Sequence, residues 1–407
     1  MERCILHCDC NGFYASVECM LRPELKQVPM AVCGDPKSRH GIILAKNEMA
    51  KAQGVQTAET IWQARRKCPD LLLVPPHRAL YTRISHELNA LYETFTDQVE
   101  PFGIDESWLD VTGSRTLFGE GRQIADTLRE RVREQFGLTI SVGVSFNKIF
   151  AKLGSDYQKP DATTVILRQD MQRMVFPMPV GALLFVGDMA QAILHRMHIE
   201  TIGDLAKADP ARLQQQLGKL GGQLHRYANG LDDSPVARAG AHVSPKSIGN
   251  GRTFARNLVG AHDVRPEVIA LCDTVASRLR AHHLLCAAVQ VTIKDPAFHV
   301  KVRQRKLGMP THLAGDLVQT AMEILAENGA LQAPVRMITI TAKELWPEDG
   351  TGQQLSWFAQ QHAQMRQKQE SLERTLDHIR GRFGEKAISW GMKTRQEMGE
   401  SDENVEK

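Results

Sequence analysis

Two short apolar segments, far apart in the chain, each carry acidic side chains at one end. Asp9 ends the strand-like run 4–9, and Asp105 and Glu106 open a second apolar run beyond Gly103. If the two segments belong to one sheet, three carboxylates meet there, and divalent cations would relieve their repulsion. Mg²⁺ prefers oxygen ligands of this kind together with substrate phosphates. The alternative is that Asp9 is a turn residue and that 105–106 is an exposed acidic pair.

Helix and strand signals alternate through the first 170 residues. Apolar side chains recur every three or four positions in 84–95 and every four in 124–136, which predicts two amphipathic helices. The segments 4–9, 41–45 and 138–145 are predicted as strands, and 12–19 and 47–53 as helices. This interleaving favours an α+β fold whose antiparallel or mixed sheet carries helices on one face.

The length of 407 residues predicts several domains. Residues 170–240 change to short helical segments broken by glycine and proline. Residues 246–345 return to strands and helices in the expected order βαββαβ. The remaining tail contains the helical run "ESLERTLDHIRGRFG".

Positive charge is concentrated in one part of the chain. The net charge is only +3, but residues 241–345 hold 13 basic and eight acidic side chains. Within this part, Lys301, Arg303 and Arg305 alternate with uncharged residues in "HVKVRQRK", so a strand would place them on one face. A basic row can follow a phosphate backbone without reading sequence. We expect Arg252 and Arg256 to extend this row, and a solvated basic face is the alternative.

Composition also argues against several classes of protein. No stretch is long and apolar enough to span a bilayer, and the N-terminus lacks the apolar region of a signal peptide. The eight cysteines are scattered without a CxxC pair, which favours free thiols over disulfides or zinc ligands. We therefore expect a cytoplasmic protein with no membrane partner.

Three motifs in order, "DCNGFYASVE", "GIDESWLDVTG" and "SVGVSFNKIFAKLGSDYQKP", resemble the Y-family of translesion DNA polymerases, and most closely its bacterial DNA polymerase IV (DinB) branch. The resemblance covers about residues 1–345 and weakens after 170. It implies a low-fidelity, template-directed polymerase without a proofreading exonuclease, which uses two Mg²⁺ ions. A primer 3′-hydroxyl would attack the α-phosphate of a deoxynucleotide. Primer-template DNA and dNTPs are the implied partners, and we expect a monomer.

The resemblance also implies a right-hand shape with four domains. The palm, which is ferredoxin-like, would be 1–19 with 78–168, and the small fingers 20–77. A helical thumb would be 169–234, where "ALLFVGDMAQAIL" resembles a helix-hairpin-helix. A linker, 235–245, would lead to a βαββαβ little finger, 246–345, and to a tail, 346–407.

The resemblance assigns roles to individual residues of the first 170. Asp9, Asp105 and Glu106 would be the metal ligands, assisted by the backbone carbonyl of Cys10. Tyr14 would be the steric gate that collides with a ribose 2′-hydroxyl. The other implied nucleotide contacts are Phe13, Lys51 and Lys159.

The fingers depart from the family pattern. Ala45, Glu48 and Lys51 stand where the family usually has a Thr, a Tyr and an Arg that contact the triphosphate. Lys51 can replace the charge of an Arg but not its planar fork. Lys46 is a candidate to compensate.

The tail contains "QLSWF", which resembles the pentapeptide that binds bacterial polymerases to the sliding clamp. Its expected clamp contacts are Gln354, Leu355, Trp357 and Phe358, with Trp357 where Leu is usual. Exposed apolar side chains in a polar segment need a burial partner. The alternative partner is the chain's own tail helix.

Two other functional classes stay open at this point. A catalytically silent adaptor on DNA would explain the altered fingers but not the three retained carboxylates. Another two-metal palm enzyme, such as a nucleotide cyclase, would explain neither the basic part of the chain nor the clamp-like peptide.

Overall fold

The computed structural model describes residues 2–36, 38, 40–241, 244–349, 360–384 and 387–388, and the side chains of 360–365 are not described. The chain forms two compact units, 1–242 and 243–407. Within the described residues, no helix combines the length and apolar character needed to cross a bilayer. The eight cysteines are all buried and free, as the sequence predicts.

The first unit contains three groups of elements. Its strands are β1 (Ile5–Cys10), β2 (Met30–Cys33), β3 (Ile43–Lys46), β4 (Leu72–Val74), β5 (Val99–Pro101), β6 (Glu106–Asp110), β7 (Ile140–Ser145) and β8 (Thr163–Ile166). Its helices are α1 (Phe13–Leu21), α2 (Glu48–Ala52), α3 (Ile61–Lys67), α4 (Arg78–Glu93), α5 (Arg115–Phe118), α6 (Gly121–Phe136), α7 (Lys148–Tyr157), α8 (Asp188–Arg196), α9 (Ile202–Lys207), α10 (Pro210–Leu217) and α11 (Lys219–Ala228).

A five-stranded mixed sheet in the order β5-β6-β1-β7-β8 forms the centre of this unit. Side chains of α4 and α6 form a hydrophobic core with one face of the sheet, because apolar residues recur at helical spacing in both helices. The helix α7 packs against the opposite face, so the expectation that helices cover one face only is wrong. Its close approach depends on Gly143 of β7, where an added Cβ would lie 1.9 Å from the carbonyl oxygen of Ala151.

Two smaller groups complete the first unit. A three-stranded sheet, β3-β2-β4, packs with α2 and α3 around its own small core. The helices α8–α11 share a third core with residues of α7 and β8. These groups fall within the ranges expected for palm, fingers and thumb, and the domain boundaries themselves stay predictions.

The second unit has the predicted order βαββαβ followed by a tail helix. Its elements are β9 (Ile248–Leu258), α12 (Gly260–Ala281), β10 (Leu284–Lys294), β11 (Val300–Thr311), α13 (Ala314–Glu327), β12 (Val335–Pro347) and α14 (Gln360–Phe383). The antiparallel sheet has the order β11-β10-β12-β9, so β9 and β11 are its two edges. The helices α12 and α13 pack on one face of it.

The tail helix α14 is attached to α12 mainly by ion pairs. Arg280, which is 4% exposed, contacts Glu373 and Asp377, and Arg380 lies 2.8 Å from Asp273. Removing one partner of a buried pair leaves an uncompensated charge, so these contacts specify where the helix lies.

Candidate active site

The three predicted carboxylates line one open cleft of about 350 Å³ in the first unit. Asp9 and Glu106 are directly opposite each other in the antiparallel pair β1–β6 and therefore point to the same face. Asp105 precedes β6, and its carbonyl accepts a 3.0 Å hydrogen bond from the backbone of Cys10. The thiol of Cys10 is buried in the core below, although the residue also lines the cleft.

Two lysines reach these carboxylates from α7 and the segment after it. The Lys152 ammonium lies 3.0 Å from Asp9 Oδ2 and 3.1 Å from Glu106 Oε1, and the Lys159 ammonium lies 2.8 Å from Asp9 Oδ2. Both also pair with Asp156. Burial alone would lower the pKa of Lys152, but the carboxylate charges outweigh it and raise that pKa. The cleft therefore holds positive charge firmly between its acidic side chains.

The carboxylates are compensated unequally. Burial and the charges of Asp9 and Glu106 raise the pKa of Asp105 to about 6. Burial alone would also raise the pKa of Glu106, but hydrogen bonding to His7 and the charge of Lys152 lower it to about 2. Three hard oxygen donors, one of them poorly compensated, suit divalent cations such as Mg²⁺.

His7 is a site residue that the motifs did not reveal. It is fully buried, with Nε2 3.4 Å from Glu106 Oε2 and Nδ1 2.8 Å from Ser155 Oγ. Burial lowers the pKa of its imidazole. The signal was available in the sequence, because His7 precedes Asp9 by two positions in a strand and must share its face.

The two aromatic residues after Asp9 stand at the start of α1 and line the cleft. Phe13 is 3% exposed and belongs to the core, whereas Tyr14 is half-buried. The ring of Tyr14 stacks on that of Tyr81 from α4, with centroids 4.4 Å apart and planes 16° apart. Tyr14 is thus a supported wall of the cleft.

The three-stranded sheet contributes Lys46, the lysine named as a candidate to compensate for the altered fingers, to the cleft. Lys46 lines the cleft together with Ala45 and Thr57, and its ammonium lies 3.0 Å from the Thr57 hydroxyl. Lys51 pairs with Glu48 at 3.3 Å on the exposed surface of α2, and neither residue is part of the cleft lining. Lys46 therefore lies in the cleft lining, whereas Lys51 lies outside it, and the predicted triphosphate contact of Lys51 stays a prediction.

Comparisons with known proteins agree along most of the chain. Models of the impB/mucB/samB family match residues 8–156 and, for its C-terminal domain, 245–357. A model described as the thumb domain of DNA polymerase-iota matches 185–232. DNA polymerase IV of Acetivibrio thermocellus is 45% identical over 96% of this chain and 98% of its own length. The chain belongs to the Y-family of translesion DNA polymerases.

Further matches support this membership. DNA polymerase IV of Moorella thermoacetica is 36% identical over 94% of both chains. A solved Y-family DNA polymerase chimera shares the fold, with a TM-score of 0.76 at 22% identity, over 84% of this chain and 99% of its own. This Y-family member is a low-fidelity, template-directed DNA polymerase that depends on divalent metal and acts on DNA and dNTPs.

The basic row of this polymerase lies on the helix side of its second sheet. Lys301, Arg303 and Arg305 are opposite Ile293, Val291 and Val289 of β10, whose side chains form the core with α12 and α13. Residues opposite each other in an antiparallel pair share a face. Accordingly, Arg305 pairs with Glu323 at 2.8 Å and with Glu327, both on α13, and Arg303 hydrogen-bonds Asn328.

Arg252 and Arg256 do not extend this row. They lie on β9, at the opposite edge of the sheet from β11. Arg252 pairs with Glu267 at 2.9 Å and Arg256 with Asp263 at 2.6 Å, both acids being on α12. The expectation that they extend the row is wrong because β10 and β12 separate β9 from β11 in the sheet.

The other face of the sheet carries a separate set of lysines. On β10, Lys294 is opposite Val300 of β11, and Ala288 is opposite Lys306 of β11 and Lys343 of β12. These positions alternate with the core residues of the sheet, so the three lysines lie on the face away from the helices. The pentapeptide residues Gln354, Leu355, Trp357 and Phe358 lie outside the described residues.

Proposed function

We propose that Asp9, Asp105 and Glu106 hold two Mg²⁺ ions with help from the Cys10 carbonyl, and that the cleft adds deoxynucleotides to a primer. The supporting observation is that Asp9, Asp105 and Glu106 line one cleft, where Lys152 pairs with Asp9 and Glu106. Bound divalent ions would lower the charge barrier for the attacking and leaving oxygens. His7 and Lys152 orient Glu106 in this arrangement.

Lys159 and Lys46 are the proposed triphosphate contacts. Lys159 is 32% exposed, against 14% for Lys152, so it is the lysine that an incoming nucleotide reaches first. Lys46, on the wall from the three-stranded sheet, takes the part expected of Lys51.

Tyr14 is the proposed steric gate. Its half-buried ring lines the cleft beside the carboxylates, where a ribose 2′-hydroxyl would collide with it. Phe13 supports this wall from within the core and flanks the sugar and base.

The proposed domain division follows the predicted ranges, with palm 1–19 and 78–168, fingers 20–77, thumb 169–234 and little finger 246–345. In the little finger, we place the DNA backbone on the face with Lys294, Lys306 and Lys343. The support is that Arg252, Arg256 and Arg305 lie 2.9, 2.6 and 2.8 Å from carboxylates of α12 or α13, whereas Lys306 lies 3.9 Å from its acidic neighbour Glu344. Lys301 and Arg303 are exposed at the edge and can add contacts.

The proposal also includes recruitment by the sliding clamp through Gln354–Phe358, action as a monomer, and a cytoplasmic location. The clamp proposal rests on the resemblance of "QLSWF" to the clamp-binding pentapeptide. The eight free, buried cysteines support the location, because thiols stay reduced in the cytoplasm.

Primer extension with Mg²⁺ and four dNTPs tests this function. Asp105→Ala and Glu106→Ala should each abolish extension while DNA binding survives, because each removes a metal ligand. Glu130→Ala, which removes an exposed carboxylate of α6, is the matched control and should extend normally. Near-normal extension by either site variant would overturn the assignment. DNA binding by the parent without any extension would favour the adaptor, and template-independent conversion of ATP would favour a cyclase.

A further inference from the structure

The wall formed by Tyr14 has a support of its own. Tyr81, on α4, is fully buried, and its ring lies in stacked contact beneath that of Tyr14. Stacked aromatic rings attract each other beyond the effect of burial alone. The position of the Tyr14 ring therefore depends on where Tyr81 is held.

A buried carboxylate holds Tyr81. Glu18 is 0% exposed, and its Oε1 accepts a 2.5 Å hydrogen bond from the Tyr81 hydroxyl. The same oxygen lies 2.7 Å from His77 Nδ1, and Arg22 lies 3.5 Å from Oε2. A buried charge is costly unless it is partnered, so this arrangement requires a specific reason. Burial and the bond to Glu18 raise the pKa of Tyr81, which keeps its hydroxyl protonated and able to donate.

The stacking contact and the hydrogen bond both connect α1 to Tyr81 on α4. Glu18 follows Tyr14 by four residues on α1, so both side chains lie on the same side of that helix. One of them stacks on the ring of Tyr81 and the other binds its hydroxyl. Tyr81 is thereby fixed through its ring and through its hydroxyl. A fixed Tyr81 ring in turn leaves the stacked Tyr14 side chain little freedom to change rotamer.

We propose that Tyr81 and Glu18 are positioning residues that hold Tyr14 in place and thereby set the preference of the enzyme for deoxyribose over ribose. The inference rests on the proposed role of Tyr14 as steric gate and adds the residues that make the gate rigid. Without the Tyr81 ring, Tyr14 can turn away and leave room for a 2′-hydroxyl.

The test compares kcat/KM for a ribonucleotide with that for the matching deoxynucleotide. Tyr81→Leu removes the stacked ring and should raise this ratio about tenfold, the size expected when a few atoms of a pocket wall are removed. Tyr81→Phe and Glu18→Gln keep the ring and should raise the ratio by less. Leu128→Ala, a truncation in the same core on α6, is the control for reduced stability and should leave the ratio unchanged.

Two comparisons separate this inference from the role of Tyr14 itself. If Tyr14→Ala leaves the ratio unchanged, the gate proposal fails and this inference fails with it. If Tyr14→Ala raises the ratio and Tyr81→Leu does not, only the positioning role is overturned. The double variant should match Tyr14→Ala alone, because Tyr81 acts through Tyr14. Additive effects would contradict that.

Discussion

Among the three carboxylates of the cleft, Asp105 has the least positive charge close to it. Lys152 and Lys159 contact Asp9, and Lys152 and His7 contact Glu106. Asp105 keeps a pKa of about 6 because it is partly buried beside two other carboxylates. A raised pKa means that the folded, metal-free protein holds this proton more tightly than the unfolded chain does.

Metal binding should therefore release a proton near pH 6. A divalent ion needs the carboxylate form, so its affinity should rise with pH from about 5 to 7 as Asp105 loses its proton. Calorimetric titration of Mg²⁺ in two buffers with different ionisation enthalpies measures the protons released. Asp105→Asn cannot release this proton and is the control. Equal proton release by parent and variant would show that another group titrates.

The same residues show what the sequence could predict at this scale. A period of two along β1 places His7 on the same face as Asp9, whereas the pairing of Asp9 with Glu106 depends on the register between β1 and β6. The choice between Lys46 and Lys51 was not predictable, because it depends on the packing of the three-stranded sheet and on the Glu48 pair. Tyr81 and Glu18 meet only through tertiary contact between α1 and α4.

At the scale of elements, alternation along β11 correctly predicted which residues share a face. It could not predict which face meets the helices, because basic and apolar residues alternate on an edge strand where neither set is fully buried. The contact of Arg305 with Glu323 of α13 shows that the basic face is the one that meets the helices. The strand also continues through Pro310 to Thr311, and an edge strand tolerates proline at such a position.

The faces of this sheet should differ in their effect on DNA binding. Changing Lys294, Lys306 and Lys343 to Gln should weaken binding for every sequence, and the log–log salt slope should fall by about 0.9 for each duplex phosphate that is no longer neutralised. Changing Arg252, Arg256 and Arg305 to Gln removes the same number of charges from the helix side, where each is paired with a carboxylate of α12 or α13. This control should have the smaller effect. Fluorescence anisotropy at several salt concentrations measures both. The reverse order would place DNA on the helix side of the sheet.

At the scale of the whole molecule, the proposed clamp-binding peptide falls, in the order of the sequence, between two anchored elements of the second unit. The strand β12 ends at Pro347 within the sheet, and ion pairs attach α14 to α12. The contacts that fix α14 are predominantly charged, and its Leu372 and Phe383 are 52% and 66% exposed. Ion pairs therefore account for the attachment of α14 without the peptide, while Leu372 and Phe383 are the apolar surface on which the rival view would place Leu355, Trp357 and Phe358.

Substituting Leu355 and Phe358 with Ala should therefore abolish stimulation by the clamp and leave unassisted extension of a short primer intact. Apolar anchors commonly dominate such small interfaces, with single truncations costing about 2 kcal/mol or more. Leu372→Ala with Phe383→Ala, which also removes two exposed apolar side chains, is the control and should respond to the clamp as the parent does. The rival view, in which the peptide packs on the tail helix, expects a lower melting temperature and an unchanged clamp response. Titrating clamp against all three proteins and recording their thermal melts distinguishes docking on the clamp from packing on the tail helix. If the peptide docks on the clamp, the substitutions remove the stimulation and leave the melting temperature unchanged.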